Sequence, residues 1–316
     1  MKIVISSGHG KYVRGANGLI DEVDEARKVV SAVVRNLSLL GHGVVEFHDD
    51  ISTTQQQNLN AIVNFHNSQS RDLDVSVHFN AYVPTDGGRG TEVLYLTQKD
   101  LAAQVSAAIA EAGGLINRGA HKRSDLYFLN GTTESAILIE VCFVDAAADV
   151  EAYQAKFDPI CLALASSLVD LDIDVAGAER LWASGKVSWF GGPEDMGVSS
   201  SEGLAFLYDV DDKPHLFLKQ QPSGTTGLAR RLDPKTSYIA MRWDYDQFSK
   251  ERLAGNDVAM VRAPKTGKQF VAHPADWGPH TDTERVADIS PGLMEALGIT
   301  TDDEVEVIYP HRKHKA

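Results

Sequence analysis

From Lys2 to about Leu168, short β-branched runs alternate with stretches whose apolar residues recur every three or four positions. The runs are IVI at 3–5, GVVEF at 43–47, DVSVHF at 74–79, TEVLYL at 91–96 and AILIEV at 136–141. Between the first two, Val23, Ala26, Val30, Val33 and Leu37 make one apolar stripe that Gly41 ends, as on a helix packed against a sheet. Further helices are expected from Ser52 or Thr53, from about Lys99 to Ala112 with Gly113 and Gly114 as the stop, and as one helix over about 148–168. The alternation predicts an α/β fold, a mostly parallel sheet flanked by helices.

Beyond Trp182 the helical period nearly vanishes. Short strands are expected at 186–190, 204–208, 215–219, 237–243, 257–263, 269–273 and 304–309, with one clear helix from Ser290 to Leu297 that has Ser at its cap, Pro at its first position and Gly298 past its end. Such spacing predicts a small all-β barrel. The stretch between the two patterns, LVDLDIDVAGAER, is acidic and small-residued. The expected organisation is therefore a first domain at 1–172, a linker at 173–181 and a second domain at 182–316. The length of 316 residues agrees with two domains at roughly 150 residues each.

Composition narrows the function. Hydrophobic residues at 43% and charged residues at 23% are ordinary for globular chains, and no apolar run approaches the roughly 20 residues that span a bilayer. With 44 acidic residues against 30 basic ones the net charge is −14, which disfavours a nucleic-acid partner. Cys142 and Cys161 read as small buried hydrophobes. The opening MKIVISSGHG enters a strand pattern at once, without a secretory leader, so synthesis in the cytoplasm is expected; the basic tail 311–316 reads as a solvated end.

Four polar residues fall where an α/β sheet gathers function, beyond the C-terminal ends of its strands. His9 follows the first strand between two glycines, His78 and Glu140 close apolar strands, and Glu22 opens the first helix. Two imidazoles and a carboxylate suit a catalytic zinc with its fourth position open to water, and a further carboxylate then serves as base. This reading takes His9, Glu22 and His78 as the metal ligands and Glu140 as the base. Each residue also has a plainer role available. A histidine after glycine is commonly a surface residue, Glu22 or its neighbours Asp21, Asp24 and Glu25 favour a helix N-terminus, and Glu140 at a strand end can reach solvent.

Taken in order, these pieces resemble the zinc-dependent N-acetylmuramoyl-L-alanine amidases of the Amidase_3 family, over about Met1 to Leu168. The match lies in SSGHG with His9, GLIDEVDEARKVV with Glu22 (Glu25 being one turn away), SVHFNA with His78 and, beside it, Asn80 as a substrate-binding candidate, and IEVCF with Glu140. DLYFLN at 125–130 looks like the family's strand before that glutamate. Ser7 stands where the family usually has proline, and Cys142 where it usually has glycine. A thiolate from Cys142 is disfavoured as a fourth ligand, since it would fill the water position and strand alternation would put residues 140 and 142 on one face.

The resemblance implies one zinc ion per chain and hydrolysis of the amide between the lactyl group of N-acetylmuramic acid and L-alanine of the stem peptide, with Glu140 moving the proton. Peptidoglycan is then the partner. With no leader, it implies an endolysin-like protein that acts on the bacterial wall after release through a holin or delivery by a phage tail or injection apparatus.

The stretch 259–310, with PKTGK, ADWGPH, VADISPGLMEALGI and VEVIYP, resembles the double-psi β-barrel of rare lipoprotein A and expansins, and KVSWFG at 186–191 looks like its start. That likeness implies cell-wall glycan binding with Asp276 and Asp288 at the groove, against structural roles at a turn and a cap. Trp189, Trp243 and Trp277 are candidates for a sugar platform or for core. The rival functions are a bifunctional hydrolase whose barrel also cuts glycan strands, and a non-catalytic wall-binding protein.

Overall fold

A computed structural model describes residues 1–169, 181–246, 248–255 and 257–308. The expected linker at 173–181, all but its last residue, and the basic tail lie outside the described residues. Contacts divide the chain into two compact units, one built on the first six strands and the other on the last six.

The first unit is a six-stranded sheet. Its strands are β1 (Lys2–Ser7), β2 (Gly43–Phe47), β3 (Leu73–Asn80), β4 (Thr91–Tyr95), β5 (Asn117–Lys122) and β6 (Ser135–Phe143), in the order β2-β1-β3-β6-β4-β5. Every pairing is parallel except β4 with β6. The helices are α1 (Glu22–Leu39), α2 (Gln55–Ser68), α3 (Lys99–Gly113), α4 (Tyr127–Gly131), α5 (Ala147–Ala155) and α6 (Phe157–Leu168). Residues alternate between faces along each strand, so Ile137 and Ile139 of β6 join Val30, Val33, Ile109 and Leu164 of α1, α3 and α6 in one core, while Ala136 and Leu138 join Ile62, Val63 and Phe128 of α2 and α4 in another. Each fully buried aliphatic chain contributes about 1.5–3 kcal/mol relative to exposure. The α1 stripe from Val23 to Leu37 is buried as expected.

Several elements differ from the sequence expectation. The helix expected over 148–168 is two, because continuing α5 would need an N–H from Pro159, which has none and whose ring clashes with the preceding turn. Helix α2 starts at Gln55 with Thr54 as cap rather than at Ser52 or Thr53. The stretch 125–130 is not a strand: residues from Tyr127 form α4, whose Phe128 and Leu129 are buried. Strand β5 was not anticipated.

The second unit is a closed barrel of β7 (Leu181–Trp189), β8 (Tyr238–Met241), β9 (Ala259–Arg262), β10 (Gln269–Trp277), β11 (Arg285–Ile289) and β12 (Glu304–Ile308), ordered β10-β8-β11-β7-β12-β9. Val187, Ile239, Met241, Val261, Ile289 and Val307 belong to its core. Helix α8 (Pro291–Leu297) starts on Ser290, whose hydroxyl accepts the Leu293 N–H at 3.1 Å, and ends at Gly298 in the left-handed region. A second short helix, α7 (Lys250–Ala254), was not expected.

The expected strands at 204–208 and 215–219 are absent. Leu204, Phe206 and Leu207 are apolar because they bury against the barrel, but Ala205 N–H goes to the Asp276 carboxylate rather than to a neighbouring strand. Pro214 opens a single 3-10 turn through Leu216, and beyond it Phe217 makes only an isolated bridge. Among the described residues no helix is long and apolar enough to cross a membrane.

Candidate active site

The first strand ends in Ser7, and the turn after it carries His9. His78 comes from the next strand over, β3, and Glu22 from the first turn of α1. Each of the three offers one ligand atom, and those atoms lie within 4.8 Å of one another. Glu22 Oε1 is 3.0 Å from His78 Nδ1 and 3.5 Å from His9 Nε2. Backbone donors hold that carboxylate in place: Ala16 N–H reaches Oε2 at 2.5 Å and Phe79 N–H reaches Oε1 at 3.2 Å. The other nitrogen of His78, Nε2, is 3.0 Å from Ser76 Oγ, which fixes the plane of the ring.

The neighbours of Glu22 are engaged elsewhere. Asp21 pairs with Arg14 and accepts from the Val23 and Asp24 amides, while Glu25 binds Lys28 and the Tyr153 hydroxyl.

Two glycines make room for the cluster. A Cβ on Gly8 would stand 1.8 Å from His78 Nε2, and one on Gly15 would stand 2.1 Å from Glu22 Oε2. From the sequence the glycines flanking His9 were noted only as its neighbours. Gly8 instead gives the imidazole of His78 the space over the backbone, and Gly15 was missed, since the residue it accommodates lies seven positions away.

Glu140 stands on β6 with its Cα paired to His78 on one side and to Glu92 on the other. Its Oε2 is buried without a hydrogen-bond partner. Burial, reinforced by the negative charges of Glu22 and Glu92, pushes its carboxyl up to about 7, against the opposing influence of His78 and Arg123. Burial also raises Glu22, but the hydrogen bond and charge of His78, the charge of His9 and the Ala16 N–H outweigh it and hold Glu22 below its ordinary value. Burial and the neighbouring His78 lower His9. Burial would lower His78 too, yet the bond to Glu22 and the charges of Glu140 and Glu22 raise it. An ionised carboxylate between two imidazoles, beside a carboxyl poised near neutrality, is an arrangement able to hold a divalent cation and to move a proton.

Strand alternation alone would turn Cys142 toward Glu140. The register instead shifts between His78 and Asn80, so that Asn80 pairs with Phe143 and β6 carries one extra residue. This bulge turns Cys142 into the same apolar core as Val141. Cys142 is thus no neighbour of the ligand group, although for a different reason than the sequence suggested. Burial raises the thiols of both Cys142 and Cys161 well above their ordinary range. Asn80 donates to Glu92 Oε1 at 2.9 Å, and Glu92 is held in turn by Arg118. Neither Glu92 nor Arg118 was singled out from the sequence, where each is one charge among many.

In the barrel, Asp276 on β10 and Asp288 on β11 both pair with Ala240 of the strand between them. Asp276 Oδ1 accepts from the Ala205 and Trp277 amides, and Asp288 accepts from the Ser188 hydroxyl. Burial pushes both carboxyls upward. Trp189 and Trp277 are 41% and 43% exposed, whereas Trp243 is 3% exposed, a core residue whose Nε1 donates to the Asp276 carbonyl. Trp243 therefore cannot belong to a sugar platform.

Comparison with known proteins adds the family context. The Amidase_3 model, described as N-acetylmuramoyl-L-alanine amidase, matches residues 3–166. A 38.4 kDa protein of Clostridium perfringens, described as uncharacterized, is 36% identical over 165 residues, covering 49% of this chain and 47% of its own. A second protein, from strain 13 of that species, is 34% identical over 165 residues, with 49% and 48% covered. The chain thus spans about half the length of the curated relatives it matches. Among solved structures, the catalytic domain of the CD27L endolysin targeting Clostridia Difficile shares the fold of the first unit, with a TM-score of 0.50 and 24% identity over 55% of this chain and 99% of that one.

Proposed function

The chain belongs to the N-acetylmuramoyl-L-alanine amidase family Amidase_3, and on that footing we propose that it hydrolyses the amide joining the lactyl group of N-acetylmuramic acid to the L-alanine of the peptidoglycan stem peptide. The observation that carries this reading is the meeting of His9, Glu22 and His78 beside the unpartnered oxygen of Glu140. The donor set, two imidazoles and one ionised carboxylate, fits one zinc ion per chain. When bound there, zinc supplies Lewis acidity toward water and toward the scissile carbonyl.

The chain's own residues do the rest. Ala16 and Phe79 amides keep Glu22 charged and oriented, and Ser76 holds the ring of His78. Glu140 accepts the proton of the attacking water and delivers it to the departing alanine amine, a role suited to a carboxyl near neutrality. Asn80 keeps Glu92 in place beside Glu140. For the barrel, the proposed role is to hold wall glycan, with Asp276 and Asp288 flanking Ala240 and with the exposed faces of Trp189 and Trp277 available for sugar rings.

Mass spectrometry of peptidoglycan digested by the full chain tests the amidase. Free stem peptides beginning at L-alanine are expected, and peptides still joined to the lactyl group would overturn the reading. Glu140→Gln is expected to lose at least about 100-fold in turnover while keeping its zinc, and His9→Ala to lose both; metal analysis of the purified variants separates the two cases.

A further inference from the structure

A recess of about 250 Å³ lies beside the site, with His9, His78 and Glu140 among the residues that line it. Its inner wall is apolar, with Leu59 and Ile62 of α2, Phe128 of α4 and Leu138 of β6. Of the residues that line it, Arg123 alone is a lysine or arginine. Arg123 follows β5 and is anchored by its backbone N–H to the Tyr95 carbonyl at 2.9 Å. Its side chain is 43% exposed and paired with the still more exposed Asp125. Such a pair contributes little and exchanges readily for another carboxylate.

The position of Glu140 decides which part of the substrate meets this recess. The departing amine must lie against the group that protonates it, and Glu140 lines the recess whereas Glu22, across the ligand group, does not. The peptide attached to that amine therefore extends toward Leu59, Phe128 and Arg123. At 250 Å³ the recess is smaller than the roughly 300–1,000 Å³ of a pocket that encloses a whole ligand, yet larger than the methyl of alanine needs.

We propose that the recess and Arg123 form the subsite for the departing peptide, the first residue's side chain entering the apolar recess and the guanidinium binding a carboxylate on the residue that follows. Arginine's planar fork suits a carboxylate bidentately, and Arg123 is the one lysine or arginine lining a recess that Glu140 also lines. This inference rests on the amidase reading for the identity of the peptide, and it adds two consequences. A free carboxylate after the first residue strengthens binding, and first residues larger than alanine are accepted.

Calorimetric titration of the full chain with the dipeptides L-alanyl-D-glutamine, its C-terminal amide and L-leucyl-D-glutamine, whose side-chain amide stands in for the onward peptide bond so that the α-carboxylate is the one varied, tests it without turnover. The free carboxylate is expected to bind roughly tenfold more tightly than its amide. Arg123→Ala should abolish that preference, Arg123→Lys should retain part of it, and Asp125→Asn should enlarge it. Leucine should be accepted within a few-fold of alanine, and Leu59→Trp, which fills the recess, should reject leucine first. Circular dichroism of each variant checks that it folds. Absence of dipeptide binding, equal affinity for acid and amide, or a preference that survives Arg123→Ala would overturn the subsite. Failure of the wall digest to release peptides beginning at L-alanine would overturn the amidase instead, and leaves the dipeptide titrations to stand by themselves.

Discussion

Gly8 shows how a residue without a side chain can shape a candidate metal site. Any Cβ there would overlap the His78 imidazole at 1.8 Å, and the ring, as the movable partner, would turn away from Glu22. Gly8→Ala is therefore expected to weaken zinc affinity by about 10–100-fold, as losses of supporting contacts around metal ligands do, measurable by competition with a chelator. Lys213 makes a different residue-scale case. It is 4% exposed, has the Leu253 carbonyl at 3.4 Å, and burial lowers it to about 8 from an ordinary 10.5 despite the opposing charge of Asp257. Below pH 8 it is charged in both folded and unfolded chains, and the folded state carries the whole desolvation cost. Between pH 8 and 10.5 the folded chain releases the proton first, so stability rises with pH and the cost is gone above 10.5. Lys213→Met should then stabilise the protein at pH 7 by about 3 kcal/mol and remove that rise, as read from urea unfolding at pH 7 and pH 10. Equal slopes in both proteins would contradict it. The proposed ligand histidines were legible because each stands close to the end of a buried strand, His9 just past β1 and His78 near the end of β3, whereas Gly15, Ser76 and Arg123 act through neighbours distant in the chain and carry no local mark.

At the scale of elements, burial decided what could be read. Strands β1, β3 and β6 are apolar runs with both faces covered, which leaves a clear pattern, while β5, NRGAHK, is a polar edge strand with Gly119 in the left-handed region. The segments 204–208 and 215–219 misled for the opposite reason: they are apolar because they cover the barrel, yet their backbones bond outside any ladder. The bulge in β6 was invisible as well, since an extra residue changes facing without changing composition, and only the partner strand reveals it. Capping, by contrast, is local chemistry and was readable at α8. Ser290 is fully buried, so removing its hydroxyl leaves the Leu293 N–H without an acceptor in a place that water does not reach. Ser290→Ala should cost about 1–2 kcal/mol in chemical denaturation of the barrel, with cleavage of a soluble muropeptide unchanged; an equally stable variant would mean that the cap is dispensable.

At the scale of the whole molecule, the proposed chemistry and the proposed wall attachment fall in different units. The proposed ligands, the base and the recess all lie between Gly8 and Glu140, inside the span matched by the family model, and the cores that position them are built from the same unit. Among the described residues the barrel supplies none to that group. A chain ended at residue 172 should accordingly bind zinc and cleave a soluble muropeptide with kcat/KM within about threefold of the full chain, since nothing that contacts the reacting atoms has been removed. Intact walls present a different problem, because the substrate is immobile and the enzyme must find successive stem peptides along one surface. The tether to glycan proposed for the barrel would raise the local concentration of the active site, and losing even a weak tether typically lowers apparent affinity by far more than its own contacts suggest. Wall clearing by the shortened chain should fall about tenfold or more, and Trp189→Ala with Trp277→Ala in the full chain should reproduce most of that fall without touching the soluble reaction. Clearing at the full rate by the shortened chain would remove the barrel from wall attachment, and loss of the soluble reaction would show that the first unit does not act alone.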